Sequence, residues 1–224
     1  MVGPSGCGKS TLLRTANRLV VPTTGRIMLD GVDVASLEPT QLRRSIGYAI
    51  QAVGLFPHMT VARNVAIVPE LLGWTRDEIA ERVDELLALV DLTPVRYRDR
   101  YPRELSGGEA QRVGVARAIA ARPRALLMDE PFGAVDAIVR ASLQDELLRI
   151  ARSLATTVLF VTHDVDEALR LADRLVVMRE GRIVRDGTPV VVLEDPQDAY
   201  VRDLFGDDET RAFRLQRARR ARPA

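Results

Sequence analysis

The first eleven residues, MVGPSGCGKST, contain the feature that most constrains the fold. Residues 3–10 match G-x-x-x-x-G-K-[ST], the pattern of a phosphate-binding loop between a β-strand and an α-helix. The backbone N–H groups of such a loop point at the anion, its lysine binds the outer phosphates, and its serine hydroxyl can bind Mg²⁺. The alternative interpretation is an ordinary glycine-rich turn before a helix. The residues assigned to the loop are Gly3, Pro4, Ser5, Gly6, Cys7, Gly8, Lys9, Ser10 and Thr11, with Ser10 as metal ligand.

Lysine occurs once in the sequence, at position 9, and the other 31 basic residues are arginines. A compact ammonium suits a phosphate in a tight loop better than a planar guanidinium fork does. The choice of lysine at this position therefore supports the phosphate-binding interpretation, although a sequence that drifted away from lysine by accident would look the same.

Size and composition exclude several other classes. A chain of 224 residues is expected to form one domain, or one domain with a subdomain. The net charge of +1 gives no reason to expect nucleic acid as a partner. Cys7 is the single cysteine, so no disulfide can form within the chain and a reducing compartment is expected. No apolar run reaches the roughly 18 residues that a membrane-spanning helix needs.

Short apolar segments of strand length alternate with segments of helical periodicity, which predicts an α/β fold with a mostly parallel sheet flanked by helices. Two of the strands, 125–128 and 157–161, are continuous apolar runs and are predicted to be buried. The other predicted strand elements are hairpins over 25–34 and 175–184 and a strand over 46–50.

Helical spacing dominates residues 61–122, where Thr75 and Glu78 match a capping box. We interpret this block as a helical subdomain inserted into the α/β core. The predicted division is a domain over 1–205, with a core of 1–54 and 123–205, a helical subdomain of about 55–122, and an arginine-rich tail of 206–224.

Two carboxylates, Asp129 and Glu130, follow the apolar run 125–128. A divalent ion on a nucleotide would give them a function: Asp129 would hold Mg²⁺ and Glu130 would accept the proton of an attacking water. The alternative is that both are solvated turn residues before Pro131.

A second candidate anion site lies at Leu105-Ser106-Gly107-Gly108-Glu109, at the predicted start of a helix. Ser106 and Glu109 match a plain capping box, but two glycines in a first turn cost about 1 kcal/mol each relative to alanine, and capping does not require them. Bare backbone at a helix N-terminus suits the close approach of a phosphate. One nucleotide does not need two helix termini of the same chain, so two chains facing each other would share them.

Together these motifs resemble the nucleotide-binding subunit of an ABC transporter, and the resemblance extends over residues 1 to about 205. The segments IQAVGLFPHMTVARNVAIVP and YRDRYPRELSGG further resemble the importers of glycine betaine, choline and related osmoprotectants. The fold implied is a P-loop NTPase (RecA-like) core with the ABC-type helical insertion. The motifs that carry the resemblance, in the family's order, are GPSGCGKST, Gln51, LSGGE with Gln111 and Arg112, LLMDEP, residues 133–136, and residues 161–164.

The resemblance also implies cofactors, roles and partners. Two copies would form a head-to-tail homodimer in which Gly3–Thr11 of one chain and Ser106–Glu109 of the other enclose each ATP with its Mg²⁺. Permease subunits would dock on the helical subdomain and on the loop after Gln51, an external solute-binding protein would act through them, and the chain would lie peripherally on the cytoplasmic face of the plasma membrane. The roles implied are general base for Glu130, contact with the γ-phosphate and fixing of the water for His163, sensing of Mg²⁺ and water for Gln51, and linkage of the two sites for Asp136. Asp129 would hold Mg²⁺ directly or through water.

Members of this family carry strands and an adenine-stacking aromatic before the phosphate loop, and only Met1 and Val2 precede it here. We expect Met1 to be an internal methionine of the strand that leads into the loop. The alternatives are a truncated, catalytically silent fragment, an importer ATPase for another solute, a soluble ABC ATPase of translation or DNA repair, and an exporter.

Two further features lie outside these motifs, a histidine and the C-terminal arginines. His58, in the loop after Gln51, is assigned to the loop surface or to a permease contact and not to catalysis. The tail has six arginines between Arg211 and Arg222, which predicts a solvated, frayed terminus, with contact to anionic lipid headgroups as the alternative.

Overall fold

The computed structural model describes residues 1–50, 54–132, 137–154 and 156–221. The chain forms two compact units, one of residues 1–14 and 160–224 and the other of residues 15–159. The strands are β1 (Met28–Leu29), β2 (Val32–Asp33), β3 (Ile46–Ala49), β4 (Ala125–Asp129), β5 (Thr157–Val161), β6 (Leu175–Arg179) and β7 (Arg182–Gly187). The helices are α1 (Lys9–Ala16), α2 (Pro39–Ser45), α3 (Val61–Leu71), α4 (Arg76–Leu89), α5 (Pro94–Tyr97), α6 (Gly107–Ile119), α7 (Ala137–Leu154), α8 (Val165–Leu171), α9 (Pro189–Glu194), α10 (Ala199–Leu204) and α11 (Asp208–Ala221).

The sheet of the unit 15–159 is built around β4, whose five residues are all buried. β4 pairs with β3 in parallel, with Ile46 opposite Ala125 and Ala49 opposite Met128, and the sheet order is β3-β4-β5. The prediction of a buried parallel strand over 125–128 is confirmed. The matching prediction for 157–161 is wrong in its burial: β5 forms there, but Val161 is its only buried residue, because β5 is the last strand of this order and only its end, from Phe160, pairs further, with Met1.

The helical block of the same unit contains α3, α4 and α6. The capping box predicted at the start of α4 is present, with the Thr75 amide and hydroxyl donating to Glu78 Oε2 at 2.8 and 2.7 Å. α6 buries Val113, Ala116 and Ile119 completely, which agrees with the helical spacing predicted for residues 61–122. α4 and α6 are also joined by Arg82, whose Nε and Nη2 donate to the carbonyl oxygens of Ala120 and Ile119 at 3.1 Å each.

The unit 1–14 and 160–224 has its own apolar core beneath an antiparallel hairpin of β6 and β7, the hairpin predicted from the sequence. Val2 is fully buried in this core and bridges Val177 in parallel, donating from its amide to Val176 O and accepting from the Met178 amide, both at 2.9 Å. Other fully buried members of the core are Leu175, Val192, Val201 and Phe205.

Met1 extends this pairing on its other side. Its amino group donates to Phe160 O at 2.5 Å, and its carbonyl oxygen accepts from the Thr162 amide at 3.1 Å. The two residues before the phosphate loop therefore form a short central stretch of strand between the end of β5 and β6.

The arginine-rich segment is folded, so the prediction of a frayed terminus is wrong for residues 208–221. α11 packs against α8 and α9, and Ala218 is only 4% exposed. Arg214 donates to both carboxylate oxygens of Asp166, at 3.0 and 3.1 Å, and to Phe205 O at 2.8 Å. Arg214, predicted from the sequence to lie in a solvated tail, therefore links α11 to α8.

The two compact units differ from the division predicted from the sequence, whose boundaries stay a prediction. Within the four described ranges, no helix combines the length and the apolarity needed to cross a membrane.

Candidate functional site

The phosphate loop starts where the central strand ends. Gly3 lies directly on the carbonyl oxygen of Met178, and a Cβ atom there would overlap with that oxygen. Glycine at position 3 is therefore required by the packing of the loop against β6, independently of any ligand. Pro4, Ser5 and Gly6 form the exposed tip of the loop.

The second half of the loop turns into α1. Gly8 has φ +99°, a conformation that L side chains rarely adopt, and its carbonyl accepts the Leu12 amide at 2.9 Å as the helix begins. Cys7 is buried, and its carbonyl oxygen accepts the Gly181 amide at 3.1 Å. The turn between β6 and β7 thus holds the loop from the side.

Lys9 is 5% exposed, and its side chain folds back into the loop. Its Nζ donates to the carbonyl oxygens of Gly3 at 2.8 Å and Pro4 at 2.9 Å, and lies 3.8 Å from Cys7 Sγ. No carboxylate of the described residues pairs with it. A buried cation held only by neutral groups is costly, and an anion in the loop would offset that cost.

The signature segment Ser106–Glu109 forms the first turn of α6. The capping box expected there is complete: Ser106 Oγ accepts the Glu109 amide at 3.3 Å, and Glu109 Oε2 accepts the Ser106 amide at 2.7 Å. A Cβ added at Gly107 would meet no atom of the described residues within 4 Å, so packing within that part of the chain does not require glycine there. Open backbone at this turn is what an approaching phosphate needs.

The Glu109 carboxylate has a further partner that the sequence did not reveal. The Tyr97 hydroxyl donates to Glu109 Oε1 at 2.5 Å, and this bond is the main cause that lowers the pKa of the Glu109 carboxyl. The same bond raises the pKa of the Tyr97 phenol. Tyr97 is the first residue of the segment YRDRYPRELSGG, but the segment does not indicate that this side chain contacts Glu109.

Asp129 and Glu130 end β4 in different environments. Asp129 is 5% exposed, which rules out the interpretation as a solvated turn residue, whereas Glu130 is half-buried. Glu130 has φ +46°, an uncommon conformation for a residue with a side chain, and such outliers cluster at functional sites. The buried Gln111 donates from Nε2 to the carbonyl oxygen of Pro131. This hydrogen bond links the turn after Glu130 to α6, the helix that begins at Gly107.

His163 follows β5 in the unit that also contains the phosphate loop, and its side chain is exposed, so it is not a core histidine. Its neighbours are fixed: Thr162 is buried, and its hydroxyl accepts the Asp164 amide at 3.0 Å. Asp164 in turn caps α8 by accepting the Glu167 amide at 3.1 Å.

Gln51 and Asp136 lie outside the described residues. The loop that follows Gln51 is described from residue 54 and is held by Asn64 of α3, a side chain with no exposed surface. Asn64 accepts the Phe56 amide at 2.8 Å and donates to the carbonyl oxygens of Phe56, Met59 and Thr60 at 3.0–3.2 Å. His58 lies on the exposed side of this loop, edge-to-face with Phe56.

Comparison with known proteins identifies the family. The family model described as "ABC transporter" matches residues 1–133. The chain belongs to the ABC transporter family. Its motifs Gly3–Thr11, Ser106–Glu109 and Asp129–Glu130 all fall within the matched range.

Curated relatives of this ABC protein agree with the finer resemblance. The glycine betaine/carnitine/choline transport ATP-binding protein of Bacillus subtilis is 52% identical over 207 residues, covering 92% of this chain and 54% of that protein. The glycine betaine uptake system ATP-binding protein of Escherichia coli is 53% identical over 209 residues, covering 93% of this chain and 68% of that protein. The chain thus spans about half the length of the first of these relatives and two thirds of the second.

Solved structures confirm the predicted fold. A dimeric ATP-binding cassette in a post-hydrolysis state, bound to ADP and Pi, has a TM-score of 0.74 and 32% identity, with 84% of this chain and 83% of that one covered. A protein of the ABC transporter complex cbiONQ from Clostridium perfringens has a TM-score of 0.79 and 30% identity, with 88% and 78% covered. This ABC protein therefore has the P-loop NTPase fold.

Proposed function

We propose that this chain is the ATP-hydrolysing subunit of an ABC importer for quaternary-amine osmoprotectants such as glycine betaine and choline. The observation that carries the proposal is the ammonium of Lys9, buried among loop carbonyl oxygens with no carboxylate partner in the described residues. That arrangement is suited to a phosphate. The importer class is supported by relatives named for glycine betaine and choline transport at 52–53% identity.

ATP binds between two copies arranged head to tail in this proposal. The loop Gly3–Thr11 of one copy supplies the cradle for the phosphates, and the Ser106–Glu109 turn of the other closes on them. The open backbone at Gly107 supports this second half-site. So does the dimeric state of the ADP-bound structural relative. Asp136 would link the two sites across the dimer.

Mg²⁺ fits the residues that the loop and β4 provide. It binds through one or two protein oxygens together with phosphates and water, so it does not need a dedicated cluster of side chains. No cluster of three or more metal-ligating side chains occurs within the described ranges. The Ser10 hydroxyl and the buried Asp129 carboxylate are hard oxygen donors of the required kind, and Gln51 completes the proposed set. Bound Mg²⁺ would neutralise phosphate charge.

Hydrolysis requires a water held in line with the γ-phosphate and a base for its proton. Glu130 takes that proton as the water oxygen bonds to the γ-phosphorus and the bond to the ADP oxygen breaks. The products are ADP and phosphate, and the proton leaves Glu130 for solvent. His163 contacts the γ-phosphate and, with Gln51, orients the water in this proposal; its side chain is exposed to solvent.

The permease would dock on the helical region. Phe56, in the loop after Gln51, is 43% exposed, although Asn64 fixes the backbone beneath it. An open cavity of about 410 Å³ between α3 and α4 has an apolar lining that includes Ala66, Trp74 and Val83. Three arginines (63, 76 and 98) and one glutamate (70) rim it, so an apolar permease segment with acidic flanks would fit. The chain would then lie at the cytoplasmic face of the membrane, with the solute-binding protein acting on the permease from outside.

The test of hydrolysis uses the purified chain and its Glu130→Gln variant. The wild type should hydrolyse ATP only with Mg²⁺, and the variant should lose turnover by at least about 100-fold while it still binds ATP, because only the base is removed. Glu180→Gln, an exposed glutamate at the hairpin turn, is the control and should keep wild-type turnover.

Normal turnover by Glu130→Gln would refute the role of Glu130, and a wild type that binds no ATP would indicate a silent fragment. Uptake of radiolabelled glycine betaine and choline by cells that express the chain with the permease genes beside its own gene tests the solute. Uptake of neither would favour an importer for another solute.

A further inference from the structure

The Tyr97 side chain is a buried contact of the signature turn. The residue is 8% exposed, and its hydroxyl lies 2.5 Å from Glu109 Oε1. Two guanidinium groups stand over its ring, Arg96 at 5.5 Å and Arg100 at 4.9 Å from the ring centre. The ring is thus held by two guanidinium groups, and its hydroxyl is held by Glu109.

This contact resolves an electrostatic conflict at the turn. Glu109 completes the capping box of α6 with its other oxygen, Oε2, but a carboxylate in the first turn also repels an anion approaching the same helix end. The Tyr97 hydroxyl draws negative charge to Oε1, and Arg100 lies close enough to interact with the carboxylate. The turn therefore keeps its cap while the charge of the cap is compensated.

The backbone next to Tyr97 makes a second connection, to α3. The carbonyl oxygens of Arg98 and Arg100 accept hydrogen bonds from the amides of Ala62 and Val61, at 2.9 and 2.8 Å. These are the first amides of α3, which have no partner inside the helix. From α3, Asn64 holds the loop at Phe56 and Thr60.

We propose that Tyr97 is a positioning residue that joins the first turn of α3 to the signature turn of α6. A displacement of the loop after Gln51 reaches residues 98–100 through α3 and reaches Ser106–Glu109 through the Tyr97 hydroxyl. The inference rests on the proposed function: the loop faces the permease and the signature turn faces the ATP held by the second copy. Tyr97 itself touches neither partner.

The first test compares Tyr97→Phe with Tyr101→Phe. Tyr97→Phe keeps the ring and its arginines and removes only the hydroxyl. The matched control loses a hydroxyl from the same segment, where the Tyr101 ring is 37% exposed. We expect Tyr97→Phe to lower kcat by about tenfold, as for loss of a hydrogen bond to a charged group. Binding of ATP by the isolated chain should stay unchanged, because the Lys9 loop is intact, and Tyr101→Phe should match the wild type.

A double-mutant cycle that combines Tyr97→Phe with Glu109→Ala distinguishes a positioning role of Tyr97 from a general loss of stability. If Tyr97 acts through Glu109, Tyr97→Phe should lower kcat no further once Glu109 is alanine. Additive losses in the cycle, or wild-type kcat in Tyr97→Phe, would overturn the inference.

Hydrogen exchange tests the link to α3 without ATP turnover, so it separates this inference from the proposed function. In Tyr97→Phe the amides of Val61 and Ala62 should exchange at least about threefold faster than in the wild type, because the segment that supplies their acceptors is less restrained. Tyr101→Phe should leave them unchanged. Unchanged exchange in Tyr97→Phe would overturn the link even if ATP hydrolysis is established, whereas faster exchange in a chain that hydrolyses no ATP would sustain the link and refute the function.

Discussion

The ammonium nitrogen of Lys9 lies 2.8 Å from the carbonyl oxygen of Gly3, six residues earlier in the same loop. The carbonyl oxygens of the loop therefore hold the Lys9 ammonium in place without a bound anion. Removing this ammonium from water makes the free energy of folding less favourable. An apolar side chain at position 9 would favour folding, whereas a cation there favours anion binding. A single substitution at position 9 can therefore distinguish the two effects.

Lys9→Met should leave the stability without nucleotide unchanged or raise it by about 1 kcal/mol, because it removes a buried charge of similar length. The same variant should lose the stabilisation that ATP gives the wild type, about 2.7 kcal/mol at a ligand concentration 100-fold above Kd. Thermal unfolding with and without MgATP measures both effects. Arg202→Met, which removes an exposed cation from α10, should keep the response to ATP. A full response in Lys9→Met would contradict the assignment of Lys9.

Gly3→Ala should destabilise the chain by roughly 2–4 kcal/mol, because its Cβ would overlap with the Met178 carbonyl oxygen and force the loop away from β6. Gly73→Ala is the matched control: Gly73 has φ +78° but open space around it, so only the backbone conformation should cost energy, about 1–2 kcal/mol. Urea unfolding compares the two. Equal losses would show that the close approach at Gly3 contributes nothing.

The amino group of Met1 should make stability depend on pH between 6 and 8. Burial, and secondarily the charge of Lys9, lowers its pKa from 8.0 to about 6. The unfolded chain therefore binds a proton in this range that the folded chain largely does not, so stability should rise by about 2 kcal/mol as pH increases from 6 to 8. Urea unfolding of the 224-residue chain across this range measures the slope.

An N-acetylated chain serves as the control for the Met1 prediction, since it has no charge to bury. The part of the slope that comes from Met1 should be missing from it, and the acetylated chain should be the more stable one at pH 6. Identical slopes in the two chains would refute the prediction.

Arg82→Ala should cost roughly 3 kcal/mol, because two carbonyl oxygens at the end of α6 lose a buried charged donor, and Glu85 loses its partner at 2.8 Å. Arg174→Ala removes an arginine that binds both carboxylate oxygens of Asp186, at 2.8 and 2.6 Å, but its side chain is 76% exposed. That loss should be much smaller than the loss for Arg82→Ala, because water and salt screen an exposed ion pair. Denaturant unfolding of both variants measures the two losses in the free energy of unfolding. A larger loss for Arg174→Ala than for Arg82→Ala would contradict the prediction that the buried arginine contributes more.

Features that depend on neighbours in sequence were predictable. The continuous apolar run of β4, the Thr75–Glu78 capping box and the phosphate loop all follow from residue type at short spacing. Buried polar ties between distant segments were not, since nothing in the pattern around Gln111 indicates Pro131, and nothing around Tyr97 indicates Glu109.

The C-terminal tail is a second example of structure that depends on contacts between distant residues. Its composition predicts a frayed terminus, yet burial of Ala218 and the pairing of Arg214 with Asp166, 48 residues away, order it as α11. For the site, the motifs name the residues, whereas the roles of Gln51, Glu130, Asp136 and His163 stay predictions because they concern a second chain and a nucleotide.

The pairing of Met1 with Phe160, across 159 positions, sets the order of events during synthesis. The loop is synthesised before the backbone that holds its strand, residues 160–162 and 176–178, and before Gly181, whose amide donates to the Cys7 carbonyl oxygen. A nascent chain that does not yet include residue 181 therefore lacks part of the backbone that fixes the loop. The loop, although it is synthesised well before these distant residues, can fold only once they are available.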